Sequence, residues 1–309
     1  MSISKITLGT AQLGLDYGIA NLNGKPSFKK SLEILNYAWE NGINTFDTSP
    51  SYGDSEQILG SFISTKLCEN FEDINIISKL LKIELMDNAS YEDLYLYIKK
   101  QIHQSLKTLN IQKINTFLLH HAPDIFFRDG LVIDCLNEIK EEGLIDIFGL
   151  SVYNPNEVEE SLKFKKIKAI QIPINIFDQR LINRGLLKKL KENNYTVYAR
   201  SIYLQGLFFM DPRNLPKYIE SSKEMIIKLQ EIAQQFNIPI ANLALLFVRD
   251  LPGVSSLIIG IEKLEQIVEN VKILKEKALN SEIYKRIRDE FSNVPEKIVN
   301  PSLWKKKTL

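Results

Sequence analysis

The chain has 309 residues, 44% hydrophobic and 25% charged, which is enough apolar material for a large core and excludes a disordered or fibrous class. Lysine and arginine number 39 against 38 acidic residues, and a net charge of +1 gives no electrostatic reason to expect nucleic acid or an anionic membrane as partner. Cys68 and Cys135 lie far apart, which argues against a disulfide framework and a structural zinc site, and with no secretory leader or long apolar run a cytoplasmic location is expected.

Along the chain, short runs rich in β-branched and aromatic residues alternate with longer segments of helical period. Strands are expected at Ile6–Thr10, Ile43–Asp47, Ile74–Lys79, Asn115–His120, Ile147–Ser151, Ala169–Pro173, Thr196–Ser201 and Leu257–Gly260. Helices are expected between them. Ser27–Asn41 carries Leu32, Leu35, Ala38 and Trp39 and stops at Gly42, and Ser90–Leu109 carries Leu94, Ile98, Ile102 and Leu106. Leu131–Glu142, Asn156–Lys163, Ile182–Asn193, Ser222–Phe236, Ile240–Arg249 and Leu264–Lys277 follow, with a further helix from Ser281 and a solvated basic tail at Lys305-Lys306-Lys307. Strands separated by helices pair in parallel through crossovers. Eight such units favour one closed (β/α)8 barrel over residues 1–309. The turn after the first strand, Gly9-Thr10-Ala11-Gln12-Leu13-Gly14, lacks the Gly-x-Gly-x-x-Gly fingerprint of an open dinucleotide-binding sheet.

In such a barrel, chemistry gathers where the strands end. The expected strand ends carry Gly9-Thr10, Asp47 with Tyr52 beyond it, Lys79, His120, Ser151, Gln171, Arg200-Ser201 and Gly260. A tyrosine titrates near 10 and is a weak acid at neutral pH. A nearby ammonium such as Lys79 is expected to lower that value, with Asp47 orienting the lysine and His120 either directing a substrate carbonyl or helping to relay the proton. The set offers a proton donor for a developing alkoxide but no hydride, so a cofactor has to bring one. His120 and His121 are adjacent on a strand and point to opposite faces; His120 is expected in the site, and His121 either at the substrate mouth or under the next helix. His103 reads as a surface or packing residue, and no metal-ligand spacing is present.

These residues resemble the aldo-keto reductase superfamily. Gly42-Ile43-Asn44-Thr45-Phe46-Asp47-Thr48-Ser49-Pro50-Ser51-Tyr52-Gly53-Asp54-Ser55-Glu56 is similar to its signature G-x-N-x-x-D-T-(A/S)-x-x-Y-G-x-S-E. Ile77-Ser78-Lys79-Leu80, Phe117 to Pro123, Gly149-Leu150-Ser151, Ile170-Gln171 with Asn175, and Ile259-Gly260 to Asn270 resemble later blocks in the same order. The resemblance implies a catalytic tetrad of Asp47, Tyr52, Lys79 and His120. It also implies an extended nicotinamide dinucleotide, NADPH on family frequency with NADH as the alternative. Ser151 and Gln171 would hold the carboxamide, Ser201 and Gly206 would follow the pyrophosphate, and Gly260, Lys263, Gln266 and Asn270 would surround the adenosine end. Gly9, Thr10 and Arg200 complete the implied cofactor set.

Four features depart from that pattern. Val152 replaces an asparagine, Arg200 stands where many members stack an aromatic, and Glu262 stands where a basic residue often grips a 2′-phosphate. The N-terminal hairpin that plugs the barrel is expected to be missing. The expected activity is reduction of an aldehyde or ketone, of sugar or nucleotide-sugar type, to an alcohol, with a small-molecule carbonyl as the partner. The alternatives are an aldolase using Lys79 as a Schiff-base nucleophile and a non-catalytic nicotinamide-binding regulatory barrel. Candidate substrate contacts are the Gln12–Pro26 segment, Phe126, Phe127 and Arg128; Arg180 reads as a surface residue, and Trp304 is either a lid or part of the outer packing.

Overall fold

Side chains of a strand alternate between its two faces, and in a closed barrel those faces are the interior and the helical shell. The computed structural model describes residues 2–66, 74–85 and 88–304. Its strands are β1 (Ile6–Gly9), β2 (Thr45–Asp47), β3 (Asn75–Leu80), β4 (Ile114–Leu119), β5 (Ile145–Ser151), β6 (Ala169–Pro173), β7 (Thr196–Arg200) and β8 (Ser256–Gly260). They close in sequence order, and β1 pairs in parallel with both β2 and β8. The expected barrel is therefore the observed one. Cys68 and the tail Lys305-Lys306-Lys307 lie outside the described residues.

The helices are α1 (Ala11–Gly14), α2 (Phe28–Glu40), α3 (Ser55–Lys66), α4 (Tyr91–Leu109), α5 (Leu131–Glu141), α6 (Pro155–Ser161), α7 (Arg180–Asn183), α8 (Leu186–Glu192), α9 (Lys223–Gln235), α10 (Ile240–Arg249), α11 (Leu264–Leu274), α12 (Ser281–Glu290) and α13 (Glu296–Val299). Their starts are chemically marked: Ser90 with Asp93 and Asn154 with Glu157 form reciprocal capping boxes, and Asn280 caps α12. No described helix is long and apolar enough to cross a membrane.

Outward residues such as Leu8, Phe46, Ile76, Phe117, Phe148, Ile170, Val197 and Ile259 join the large core under the helices. Inward residues Ile77, Leu118, Ala169, Tyr198 and Ile258 form a separate, smaller cluster inside the barrel, with Ile3 and Ile147 against it. That plug carries the polar ends of β2, β3, β5 and β6. Among the described residues no strand precedes β1. The tail packs outside the barrel, where Trp304 is buried and donates from its indole N–H to the Lys297 carbonyl at 3.0 Å.

Candidate active site

Inward parity brings the ends of β2, β3 and β6 together. The Lys79 ammonium lies 2.7 Å from Asp47 Oδ1 and donates to the Thr48 carbonyl at 2.8 Å; Lys79 is 0% and Asp47 4% exposed. Gln171 Nε2 donates to the same Asp47 oxygen at 2.7 Å, and Ser151 donates to Gln171 Oε1 at 3.3 Å. Buried charges persist only when paired and hydrogen-bonded, and this pair is both. Tyr52 sits in the loop between β2 and α3, with its ring centroid 4.8 Å from Lys79 Nζ. His120, just beyond β4, meets the Tyr52 ring edge-on at 5.7 Å between centroids. The His120 Nδ1 lies 3.4 Å from Ser51 Oγ and 3.5 Å from Ser49 Oγ. When a serine donates there, the ring's other nitrogen carries the proton.

The electrostatics correct one expectation. Burial pushes the Tyr52 phenol well above its usual range, and Asp47 adds to that rise; Arg200 is the neighbour that opposes it. Lys79 does not deliver the expected drop because its ammonium is matched to Asp47. Burial also lowers the Lys79 pKa, against the pull of Asp47. Burial, then the charges of Lys79 and Arg200, lowers His120 to about 3. At neutral pH the floor therefore presents a protonated phenol and a neutral imidazole above an ion pair.

A cavity of about 600 Å³ runs from this floor across the end of β8. Such a volume falls within the ~300–1,000 Å³ range of small-molecule sites. The cavity lining joins Asp47, Tyr52 and His120 to Gly9, Ser151, Gln171, Arg200, Ser201 and Gly206, and to Gly260, Lys263, Gln266 and Asn270. The residues expected around a cofactor thus line one continuous space. Thr10 is the exception and does not line the cavity. It is buried beside the cavity, where its amide and hydroxyl both donate to the Asp47 carbonyl at 2.9 Å, so it fixes the end of β2. Lys79 likewise lies behind the cavity wall.

The Gln12–Pro26 segment does cover the cavity, through Gln12, Tyr17, Gly18, Ala20, Asn21, Leu22 and Asn23. It is strapped to the loop after β7: Gln205 donates to the Tyr17 hydroxyl at 3.0 Å, and the Ile19 amide donates to the Gln205 carbonyl. Gly206, at φ +87°, leaves room for Ala20, whose Cβ would stand 2.6 Å from any Cβ added there. Ser201, Leu204 and Gln205 also have positive φ, and such strain concentrates at ligand-clamping segments.

Other candidates fall away from the cavity. His121 points to the opposite face and pairs with Asp124 at 2.7 Å, and His103 is exposed. Phe126 packs on Phe164, and neither it nor Phe127 nor Arg128 lines the cavity. Arg180 is not a free surface residue, because it clamps Asp178 at 2.8 Å and Glu296 at 3.0 Å. A second cavity, of about 530 Å³, lies beside Arg180 and Arg184, touches none of the tetrad, and has both arginines already paired. Sequence reasoning missed Tyr153, whose ring lies 4.5 Å beneath the Arg200 guanidinium carbon. Only its position two residues beyond Ser151 signalled it.

Residues 5–290 match the family model described as aldo/keto reductase family. The chain belongs to the aldo/keto reductase family. Among curated relatives of this aldo/keto reductase, an uncharacterized oxidoreductase of Bacillus subtilis (strain 168) is 28% identical, over 92% of this chain and 95% of that protein. The NADH-specific methylglyoxal reductase of Escherichia coli (strain K12) is 25% identical, over 89% of this chain and 90% of its own. Among solved structures, the holo form of an aldo-keto reductase from Bacillus halodurans shares the fold with a TM-score of 0.73 at 22% identity, covering 93% and 92% of the two chains.

Proposed function

We propose that this aldo/keto reductase reduces a small, oxygen-rich aldehyde or ketone, of the sugar or short keto-aldehyde kind, to its alcohol with a nicotinamide cofactor. The observation that carries the reading is Tyr52 set against His120, over the buried Asp47–Lys79 pair, at the floor of the cavity. Bound in that cavity, the nicotinamide supplies the hydride. Tyr52 is the proton donor to the carbonyl oxygen as negative charge develops on it. A neutral His120 orients the same oxygen by donating a hydrogen bond. Lys79, held by Asp47 and Thr48, offsets the Asp47 carboxylate, which would otherwise oppose loss of the Tyr52 proton. Ser151 and Gln171 would hold the carboxamide, and Ser201 and Gly206 would line the phosphates. The small polar carbonyl compounds in the names of relatives, methylglyoxal and glyceraldehyde 3-phosphate among them, support the substrate class.

Family frequency favours NADPH, but the charges where the cavity meets α11 favour NADH. Glu262 and Glu269 both line it there. Gln266 Nε2 holds the Glu262 carboxylate at 2.8 Å, while Gln266 Oε1 accepts from the Glu262 and Lys263 amides. A carboxylate fixed at the start of α11 already complements the helix dipole, repels a 2′-phosphate and accepts ribose hydroxyls.

The test is turnover of methylglyoxal, glyceraldehyde and pentose sugars with NADH and with NADPH. Tyr52→Phe is expected to lower kcat by about 10²–10⁴-fold, and a wild-type rate in that variant overturns the mechanism. Glu262→Arg is expected to move the kcat/KM preference at least about tenfold toward NADPH. Nucleotide binding without any turnover would make the chain a regulatory barrel. The Schiff-base reading has no such support, since the Lys79 ammonium is engaged twice behind the cavity wall.

A further inference from the structure

The charges around the cavity floor do not cancel. Asp47 and Lys79 neutralise one another at 2.7 Å, Tyr52 keeps its proton, and His120 is neutral. Arg200 is left over. Its Nη2 donates to the Val152 carbonyl at 2.8 Å and its Nη1 to the Ser201 hydroxyl at 3.3 Å, and both acceptors are uncharged. Its Nε is buried with no hydrogen-bond partner, and its plane rests on Tyr153. Asp178, the buried carboxylate that also feels Arg200, is already clamped by Arg180. Among the described residues Arg200 has no carboxylate partner of its own. Its charge reaches the floor, where it acts on Tyr52, His120 and Lys79 alike.

We propose that Arg200 makes the site discriminate between the redox states of its cofactor, holding the neutral reduced nicotinamide and rejecting the cationic oxidised one. The inference rests on the nicotinamide-dependent reduction proposed above. A carbonyl hydrogen-bonded to Tyr52 has to lie about 3–3.5 Å from the hydride-donating carbon. The ring therefore shares the floor bounded by Tyr52, Ser151, Gln171 and Arg200. It is neutral when reduced and carries one positive charge when oxidised. An uncompensated cation bordering the same floor, in a medium of low effective dielectric, would disfavour the oxidised form by about one to two powers of ten in binding. An aromatic in the place of Arg200 offers the same stacking surface without this penalty. The consequence is fast release of the spent cofactor and an enzyme poor at running in reverse.

Equilibrium dialysis or calorimetry with NADH and NAD⁺, and separately with NADPH and NADP⁺, tests this without any carbonyl substrate. In the wild-type protein the reduced member of each pair is expected to bind at least about tenfold more tightly. Arg200→Gln keeps hydrogen-bonding capacity and loses the charge, so it should tighten oxidised-cofactor binding and bring the two constants within about threefold. Arg200→Lys keeps the charge and should keep the discrimination. Near-equal affinities in the wild-type protein overturn the proposal while leaving the proposed reduction standing, and that measurement needs no variant to fold. Arg200→Gln weakening both members equally also overturns it, because Arg200 would then be a stacking platform only. If no nicotinamide nucleotide binds, the proposed function falls and this inference with it.

Discussion

At His120, desolvation and two cations act in the same direction, and the imidazole pKa falls to about 3. In an unfolded chain the same side chain titrates near 6.5. Between those values the unfolded state binds a proton that the folded state refuses. Stability attributable to His120 is therefore full above about pH 6.5 and is lost as the pH falls toward 3. Glu56 and Asp178 act with the opposite sign, because burial raises their carboxyl pKa values, but they are common to any His120 variant. His120→Gln should thus lose less Tm than the wild-type protein on acidification from pH 7 to pH 4, followed by circular dichroism. Parallel Tm curves would show that the histidine is not desolvated as described. Strand parity allowed only one of His120 and His121 into the site, and motif position picked His120. The direction of the Tyr52 shift was not readable, because motif spacing brings Lys79 near the phenol but does not reveal that Asp47 and Thr48 already hold its ammonium.

Elements position these side chains through close backbone contacts, and α1 is the clearest case. A Cβ at Gly14 would stand 1.8 Å from the Tyr52 carbonyl oxygen and 2.7 Å from the Ser55 amide nitrogen. Both are backbone atoms at the start of α3, so neither can swing aside. Gly14→Ala has to push α1 away from the loop that carries Tyr52. We expect a destabilisation of about 1–3 kcal/mol in denaturant melts. We also expect kcat to fall while the dissociation constant for the nucleotide changes little, since Gly14 does not line the cavity. A kcat within about twofold of wild type would mean that the loop relaxes without moving the phenol. Strand and helix positions were largely legible because the apolar period switches between two and near 3.6. The expected helix Ile182–Asn193 is in fact α7 and α8, split where Gly185 adopts φ +66°. Helix α3 was not anticipated. Its buried face includes Ser55, Glu56 and Gly60 beside Ile58, Leu59, Phe62 and Ile63, which blurs the apolar stripe. The strap between Ala20 and Gly206 was invisible for another reason, because it joins loops far apart in the sequence.

Across the whole barrel the interior is layered. Near the bottom, the Thr7 and Ser256 hydroxyls meet at 2.7 Å, and Thr45 accepts from the Ser4 amide. Above them lies the plug of Ile77, Leu118, Ala169, Tyr198 and Ile258, and above that the Asp47, Lys79, Ser151 and Gln171 layer. Eight alternating units predicted closure, but a parallel strand buried on both faces reads as one apolar run, so the division between plug and outer shell was not legible. The plug keeps water away from the underside of the ion pair, and in that dry surrounding the pair's hydrogen bonds are strengthened. Tyr198 is its largest member, 1% exposed, and its hydroxyl bonds across the barrel to Thr116 at 3.1 Å. Tyr198 also stands beside Gln171 in the β6–β7 register. Tyr198→Phe removes one neutral hydrogen bond and should cost about 1 kcal/mol with activity retained. Tyr198→Ala opens a void directly beneath the catalytic layer and should cost about 3–5 kcal/mol. Water admitted there would weaken the hold on Asp47, so this variant should also lose kcat out of proportion to Tyr198→Phe. Urea midpoints and steady-state rates on the two variants decide the matter: equal losses would mean that the plug is not a close-packed support for the site above it.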